Sequence, residues 1–177
     1  MEDRLESIVD QVFVGRVRLM LPDGEATGIF KTAVCGRVRL TTTGLEGDEQ
    51  ADLRHHGGVD KALHHYPVEH YALMAQEWPQ CADMLGAGVL GENVSTRGMT
   101  EHEVCIGDIL RIGEARVQVS QPRAPCWKID RRLKVDDADA QALLPRPCAL
   151  PRHPGSSEPA PEWPQSRLPP RVQQRAS

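Results

Sequence analysis

Short β-type segments, each closed by glycine, proline or aspartate, constrain this chain more than any other feature. β-Branched residues are concentrated in 11–19, 27–35 and 36–44. Residues 104–113 and 114–122 meet at a Gly-Glu turn and alternate polar and apolar side chains, which predicts a half-buried antiparallel hairpin. The pattern predicts a mainly β fold, either a small barrel or a sandwich.

Two segments predict helices within this β-rich chain. Residues 66–78 carry an apolar stripe, with Pro67 suited to the first helical turn and Pro79 suited to end the helix. Residues 135–144 predict a weaker helix, which has acidic residues in its first turn and ends at Pro145.

A change in composition divides the 177-residue chain after residue 144. Nine of its 14 prolines lie in 145–177, together with five arginines and two glutamates. This stretch has no periodicity and few residues to bury, so we expect it to be disordered. The sequence therefore predicts one globular domain at 10–144, followed by a Pro/Arg-rich disordered tail at 145–177.

Charge and cysteine usage narrow the functional classes. The net charge of −4 gives no general attraction to nucleic acid or acidic membranes. No apolar run approaches the roughly 20 residues of a membrane span, and the acidic N-terminus does not resemble a signal peptide. The five cysteines are odd in number and widely spaced, which argues against a disulfide framework and favours a reducing cytoplasm.

The densest polar stretch, residues 44–67, is a candidate binding loop. Its glycines permit close approach of the backbone to a ligand. The backbone N–H groups of Gly57 and Gly58 and the cations Arg54 and Lys61 could bind an anion. Four histidines also raise a zinc site, although adjacent histidines usually point in different directions and no cysteine joins them. A solvated polar loop is the third interpretation. The candidate residues are Glu46, Asp48, Arg54, His56, Gly57, Gly58 and Lys61.

A second polar loop, 90–96, contains Glu92 and Asn93 between apolar segments. These side chains either orient a polar ligand or form ordinary turn hydrogen bonds. From this string alone, turn chemistry is the stronger interpretation.

Cys126 is the candidate reactive residue. Pro122 and Pro125 restrict the backbone around it, and Arg123 and Lys128 place a cation on each side, which favours a thiolate. A free cysteine is more often a small buried apolar residue. A reactive thiolate would serve either as a nucleophile that needs a histidine base or as a soft metal ligand, and the residues alone leave both open.

Three ordered motifs resemble the MOSC domain, named after the C-terminal domain of molybdenum cofactor sulfurase. They are GLEGDEQADLRHHGGVDKALHHYPVEHY, GENVSTRGMTE and GDILRIGEARVQVSQPRAPCWKI. The likeness covers about residues 11–143 and looks closest to stand-alone bacterial proteins for resistance to 6-N-hydroxylaminopurine. It implies a pyruvate-kinase-like β-barrel with a few helices that binds the molybdenum cofactor (molybdopterin), with Cys126 as the metal ligand.

The same resemblance implies reduction of N-hydroxylated compounds, such as 6-N-hydroxylaminopurine, with electrons from a separate flavin-dependent reductase. Arg123 and Lys128 are then expected to compensate the charge of the cofactor. The residues of the 44–67 loop would line the pterin pocket, with Glu92 and Asn93 on its opposite wall. The larger relatives also carry a pyridoxal-phosphate domain, for which this chain has no room.

Two other functions remain open from the sequence: a module that carries the cofactor or its sulfur without turnover, and a thiol hydrolase that uses Cys126 with His56. The stand-alone relatives continue with further barrel strands and a small helical domain. Here the sequence changes abruptly after residue 144, which resembles a truncation or a frame shift. We therefore expect an open sheet edge and an incomplete pocket.

Overall fold

The computed structural model describes residues 7–123, 126–135 and 172–174, and within them the protein is mostly sheet with few helices. The strands are short because glycine, proline and turn residues interrupt the chain every few residues. They are β1 (Ile8–Val14), β2 (Arg18–Met20), β3 (Glu25–Thr27), β4 (Thr32–Ala33), β5 (Leu40–Thr41), β6 (Gly44–Leu45), β7 (His65–Pro67), β8 (Val94–Arg97), β9 (Ile109–Ile112), β10 (Ala115–Gln118) and β11 (Val172–Gln174).

The largest sheet has four strands in the order β4-β1-β8-β7. β1 pairs antiparallel with both β4 and β8, whereas β7 pairs parallel with β8. β8 is central in this sheet, and its residues Val94, Ser95 and Thr96 are buried. The second half of the predicted 90–96 loop is therefore a buried strand in the structure.

The predicted hairpin is confirmed in β9 and β10. Gly113 forms the turn at φ +60°, a conformation that glycine adopts without the penalty of a Cβ atom. Leu110 pairs with Val117, while the neighbouring Ile109 is 59% exposed, as the twofold periodicity of a half-buried strand requires.

The predicted tail and the predicted helix at 135–144 lie almost entirely outside the described residues. In the tail, the structure describes β11, which pairs antiparallel with β10. These three residues are therefore paired, in contrast to the predicted lack of regular structure. Without β11, the edge of β10 that faces away from β9 would have unpaired backbone donors and acceptors. Pairing with β11 satisfies these groups.

The described chain has 3-10 helices at Val59–Lys61 and Pro79–Met84 and two α-helices, α1 (Glu69–Glu77) and α2 (Trp127–Leu133). The main core cluster joins them to the 89–90 segment: Tyr71, Met74, Val89, Leu90, Ile129 and Leu133. The prediction of a helix at 66–78 is confirmed at its centre. Pro67, however, ends β7 instead of beginning α1, and a proline without an N–H group is tolerated at a sheet edge.

The strands of the described chain form four separate sheets and do not close into one barrel. The hairpin of β9 and β10 shares no ladder with the four-stranded sheet, and the pairs β2–β3 and β5–β6 stand by themselves. No helix in the described part of the chain is long and apolar enough to cross a membrane.

Acidification is expected to destabilise this fold through His65, whose ring bonds to the Thr96 hydroxyl across β7 and β8. Burial, and secondarily His70, lowers the pKa of His65 from 6.5 to about 4. Between these values the unfolded chain binds a proton that the folded chain excludes. The free energy of unfolding should therefore fall with decreasing pH, by up to about 1.4 kcal/mol per pH unit for this group.

Urea unfolding at pH 7 and at pH 5 measures this effect. His65→Gln keeps a hydrogen-bonding side chain beside Thr96 but does not titrate, so its stability should depend less steeply on pH. An equal pH dependence in the wild type and in His65→Gln would contradict the assignment.

Candidate functional site

Cys126 lies directly before α2, as its N-cap residue. Its backbone is extended, at φ −115° and ψ 129°, and its partly buried side chain packs against the main core cluster. The residue lines a cavity of about 100 Å³, which we call the polar cavity. Lys128 and Ile129, from the first turn of α2, line the same cavity.

Arg123 and His56 form one wall of the polar cavity. A guanidinium nitrogen of Arg123 lies 3.4 Å from Nδ1 of His56, and another donates to the Lys61 carbonyl at 3.3 Å. Burial, and then the Arg123 charge, lowers the pKa of His56. His56 is therefore mostly neutral at pH 7, and its interaction is with Arg123: among the described residues no hydrogen bond joins it to Cys126.

A buried ion pair forms the floor of the site. Lys31 Nζ lies 2.7 Å from Asp48 Oδ2, and the two side chains are 6% and 0% exposed. Asp48 also accepts from the Gly15 amide and from the Asn93 side chain at 2.8 Å. Burial lowers the pKa of Lys31, and the Asp48 charge partly opposes that shift.

Asn93 connects this floor to the sheet. Its amide nitrogen donates to Asp48 and to the Phe13 carbonyl, and its oxygen accepts from the His64 amide. All three partners are distant in sequence, so this one buried side chain fixes three segments against each other. Asn93 also lines the polar cavity.

Glu92, the neighbour of Asn93, is turned the other way. The side chain is fully buried and accepts from the Tyr71 hydroxyl at 2.6 Å and from the amides of Gly88 and Leu90. Burial, and then the Glu92 charge, raises the pKa of Tyr71 far above its ordinary value. Glu92 therefore stabilises the loop from behind and is not part of the lining of the polar cavity.

The structure brings together five of the predicted site residues around the polar cavity: His56, Asn93, Arg123, Cys126 and Lys128. Asp48 lies directly beneath them. The others lie outside this lining: Glu46, Arg54, Gly57, Gly58, Lys61 and Glu92. Glu46 and Arg54 are exposed, and Lys61 donates to the His55 carbonyl at 2.6 Å.

Gly57 and Gly58 determine the path of the loop backbone. A Cβ atom on Gly57 would lie 2.8 Å from the Leu53 side chain and 3.0 Å from its backbone. Gly58 adopts φ +95° at the start of the 3-10 helix. Both positions therefore require glycine for the path of the loop, independently of any ligand.

Two acidic residues also line the polar cavity, but both are engaged elsewhere. Glu49 binds Arg16 and the Val17 amide. Asp52 accepts from His55, which with backbone N–H groups holds its pKa at about 2. Three cations, Lys31, Arg123 and Lys128, also line the cavity.

Lys31 and Gln50 also line the cavity and were not among the predicted site residues, and His64, one of the four histidines considered for a zinc site, lines it as well. Burial, and then the charges of Arg123 and Lys31, lowers the pKa of His64 well below its ordinary value. A lysine inside the apolar segment 27–35 was the one available signal. The four histidines of the loop have different partners, and no group of three or more metal-binding side chains occurs in the described chain.

A family model for the MOSC domain matches residues 52–164. The chain is 48% identical over 126 residues to protein YiiM of Escherichia coli, and this match covers 71% of this chain and 56% of that protein. It is 40% identical over 126 residues to a protein named "Reductase" of Gibberella moniliformis, covering 70% of this chain and 22% of the relative.

The crystal structure of YiiM from Escherichia coli aligns with a TM-score of 0.61 and 39% identity, covering 79% of this chain and 57% of that one. The chain thus spans little more than half the length of YiiM, and less of the fungal protein. The family-model match includes His56, Asn93 and Cys126. The chain belongs to the MOSC domain family.

Proposed function

We propose that this protein binds the molybdenum cofactor through Cys126 and reduces N-hydroxylated compounds such as 6-N-hydroxylaminopurine. The observation that carries the proposal is the presence of a cysteine thiol in one cavity with Lys31, Arg123 and Lys128. The MOSC family and the relative named "Reductase" support the coarser conclusion, a MOSC protein of oxidoreductase type.

The donor set fits such a cofactor. A thiolate is a soft ligand suited to molybdenum, and cationic side chains suit the anionic phosphate of a pterin cofactor. When bound, the cofactor supplies a two-electron redox centre. The cavity of about 100 Å³ is below the range of roughly 300–1,000 Å³ typical of whole small-molecule sites, so it suits the metal end of the cofactor.

The side chains of this site have separable roles. Cys126 provides the ligand, and Arg123 holds the neutral His56 against the cavity. Lys31 is fixed by Asp48, which in turn is fixed by Asn93, so the position of this cation is determined by buried hydrogen bonds. Lys128 donates to the Ala26 carbonyl at 2.6 Å and keeps further N–H donors for an anion.

The proposed reaction balances as R–NHOH + 2 e⁻ + 2 H⁺ → R–NH₂ + H₂O. The electrons come from a separate protein, for which a flavin-dependent reductase is the proposed class, because the sequence contains no nicotinamide or flavin motif. Cys35, Cys81, Cys105 and Cys126 are free thiols, which supports a reducing compartment such as the cytoplasm.

The test is anaerobic turnover of 6-N-hydroxylaminopurine by protein expressed with molybdate, using dithionite-reduced methyl viologen as electron donor. We expect bound molybdenum and formation of one adenine per two electrons consumed. Molybdenum without adenine would favour the carrier function. Protein that binds no molybdenum under these conditions would contradict the proposal.

A further inference from the structure

Trp127, the first residue of α2, presents an aromatic side chain to solvent and follows Cys126 directly in the chain. It is 47% exposed, and no other phenylalanine, tyrosine or tryptophan among the described residues is exposed. One exposed apolar residue is ordinary at a protein surface, whereas tryptophan and arginine together are typical of the residues that dominate binding at protein–protein interfaces. The surroundings of Trp127 therefore decide whether it has a function.

Two cations flank the Trp127 ring. The Lys128 ammonium nitrogen and the Arg131 guanidinium carbon each lie 5.5 Å from the ring centroid, within the range of cation–π attraction. These contacts restrict the orientation of the ring, so a partner that bound it would lose less conformational entropy in ordering it.

The outward face of α2 continues from Trp127. The side chains that α2 buries are Ile129, Asp130 and Leu133. Trp127, Arg131 and Lys134 follow at intervals of four and three residues, which places them on one side of the helix, and all three are exposed. We call these three residues the α2 patch.

The α2 patch is positively charged although the chain carries a net charge of −4. The segment 127–134 contains four cations and one acidic residue, Asp130, which is buried. Arg131 contacts Asp23 in the turn between β2 and β3, yet 43% of its side chain stays exposed. A surface rich in carboxylates is therefore attracted to the α2 patch and repelled by the chain as a whole, which favours docking at this one place.

The α2 patch adjoins the polar cavity. Lys128 lines that cavity and also lies against the Trp127 ring, and Cys126, whose side chain lines the same cavity, immediately precedes Trp127. A protein bound to the α2 patch would therefore lie against the first turn of α2, which forms part of the cavity wall.

We infer that the α2 patch is the docking surface for an acidic, flavin-carrying protein that supplies the electrons of this site. Trp127 is the anchor, and Arg131 and Lys134 bind carboxylates of the partner. The role of this partner as electron donor rests on the proposed function, and the overall exchange balances as FlH₂ + R–NHOH → Fl + R–NH₂ + H₂O, where Fl is the flavin. A small, charged contact suits the short-lived complexes of electron-transfer proteins.

Binding of a purified flavodoxin, a small acidic protein with one flavin, tests the docking surface by biolayer interferometry. The wild type should bind it at low salt and lose most of this affinity at high salt. Trp127→Ala and Arg131→Glu should each weaken binding about tenfold or more.

Two matched controls are available outside the α2 patch. Arg37→Glu reverses the charge of another exposed arginine that is also paired with a carboxylate, and Leu73→Ala truncates another exposed apolar side chain. Both should bind flavodoxin like the wild type. A wild type that does not bind flavodoxin, or an equal loss in Arg37→Glu and Arg131→Glu, would overturn the inference. If Trp127→Ala instead converts a dimer into a monomer in sedimentation, the α2 patch joins two copies of this chain and the inference is wrong.

Turnover with two electron donors separates this inference from the proposed function. Methyl viologen is small and needs no docking surface, so Arg131→Glu should reduce 6-N-hydroxylaminopurine at the wild-type rate with this donor. With limiting reduced flavodoxin the same variant should be about tenfold slower. An equal rate loss with both donors would contradict a docking role. A wild type that is inactive with methyl viologen contradicts the proposed function, while the binding measurements still decide the docking surface.

Discussion

Cys126→Ser is expected to yield protein without molybdenum and to reduce 6-N-hydroxylaminopurine turnover by at least about a hundredfold. A serine hydroxyl is a hard donor that stays protonated near neutral pH, so it does not replace a soft thiolate ligand. The substitution is nearly isosteric at a partly buried position, so folding should be retained. Molybdenum content by mass spectrometry and single-wavelength turnover assays measure the two effects.

The matched control is Cys35→Ser, which makes the same chemical change at an exposed free thiol. It should keep both metal and activity. If Cys126→Ser retained molybdenum and activity at the level of Cys35→Ser, Cys126 would not be the ligand and the proposed site would be refuted.

Asp48→Ala should cost about 3–5 kcal/mol of unfolding free energy, the largest stability effect we expect from one substitution. It removes the partner of Lys31, whose side chain is 6% exposed, and so leaves a buried charge uncompensated. It also removes the acceptor for the Gly15 amide and the Asn93 side chain. Urea unfolding of the wild type and of Asp48→Ala measures the difference in unfolding free energy.

Glu114→Ala is the control, because its ion pair with Arg37 is exposed on both sides, at 75% and 84%, and should contribute less than about 1 kcal/mol. Replacing both members of the buried pair, as Lys31→Met with Asp48→Leu, should recover part of the loss because no unpaired charge remains. Equal costs for Asp48→Ala and Glu114→Ala would show that the buried pair is not formed in solution.

Where the structure follows local patterns, the sequence predicted it well. The hairpin of β9 and β10 could be predicted because alternation and a glycine turn act over a few residues. The centre of α1 could be predicted because its apolar residues recur at helical spacing. α2 was not predicted, because seven residues directly after a proline-restricted segment give too little periodicity.

The sequence by itself determined the mainly β class and the MOSC motifs, and it predicted Cys126, His56, Asn93 and Arg123 as site residues, since these inferences depend on residue types at fixed spacing. Only the tertiary structure decided which side chains meet at the cavity. Lys31 joins the site through Asp48, 17 residues away, and Asp48 meets Asn93 across 45 residues. Such contacts depend on how the sheets pack, which local spacing does not encode.

Glu92 and Asn93 illustrate the same physical limit. They are adjacent in one polar loop, yet Asn93 reaches the polar cavity while Glu92 is buried behind it against Tyr71. Successive side chains at the start of a strand point to opposite sides, and which side faces the cavity depends on the register of β8 against β1 and β7. The sequence therefore predicted a set of candidate site residues, and the packing of the sheets decided which of them face the cavity.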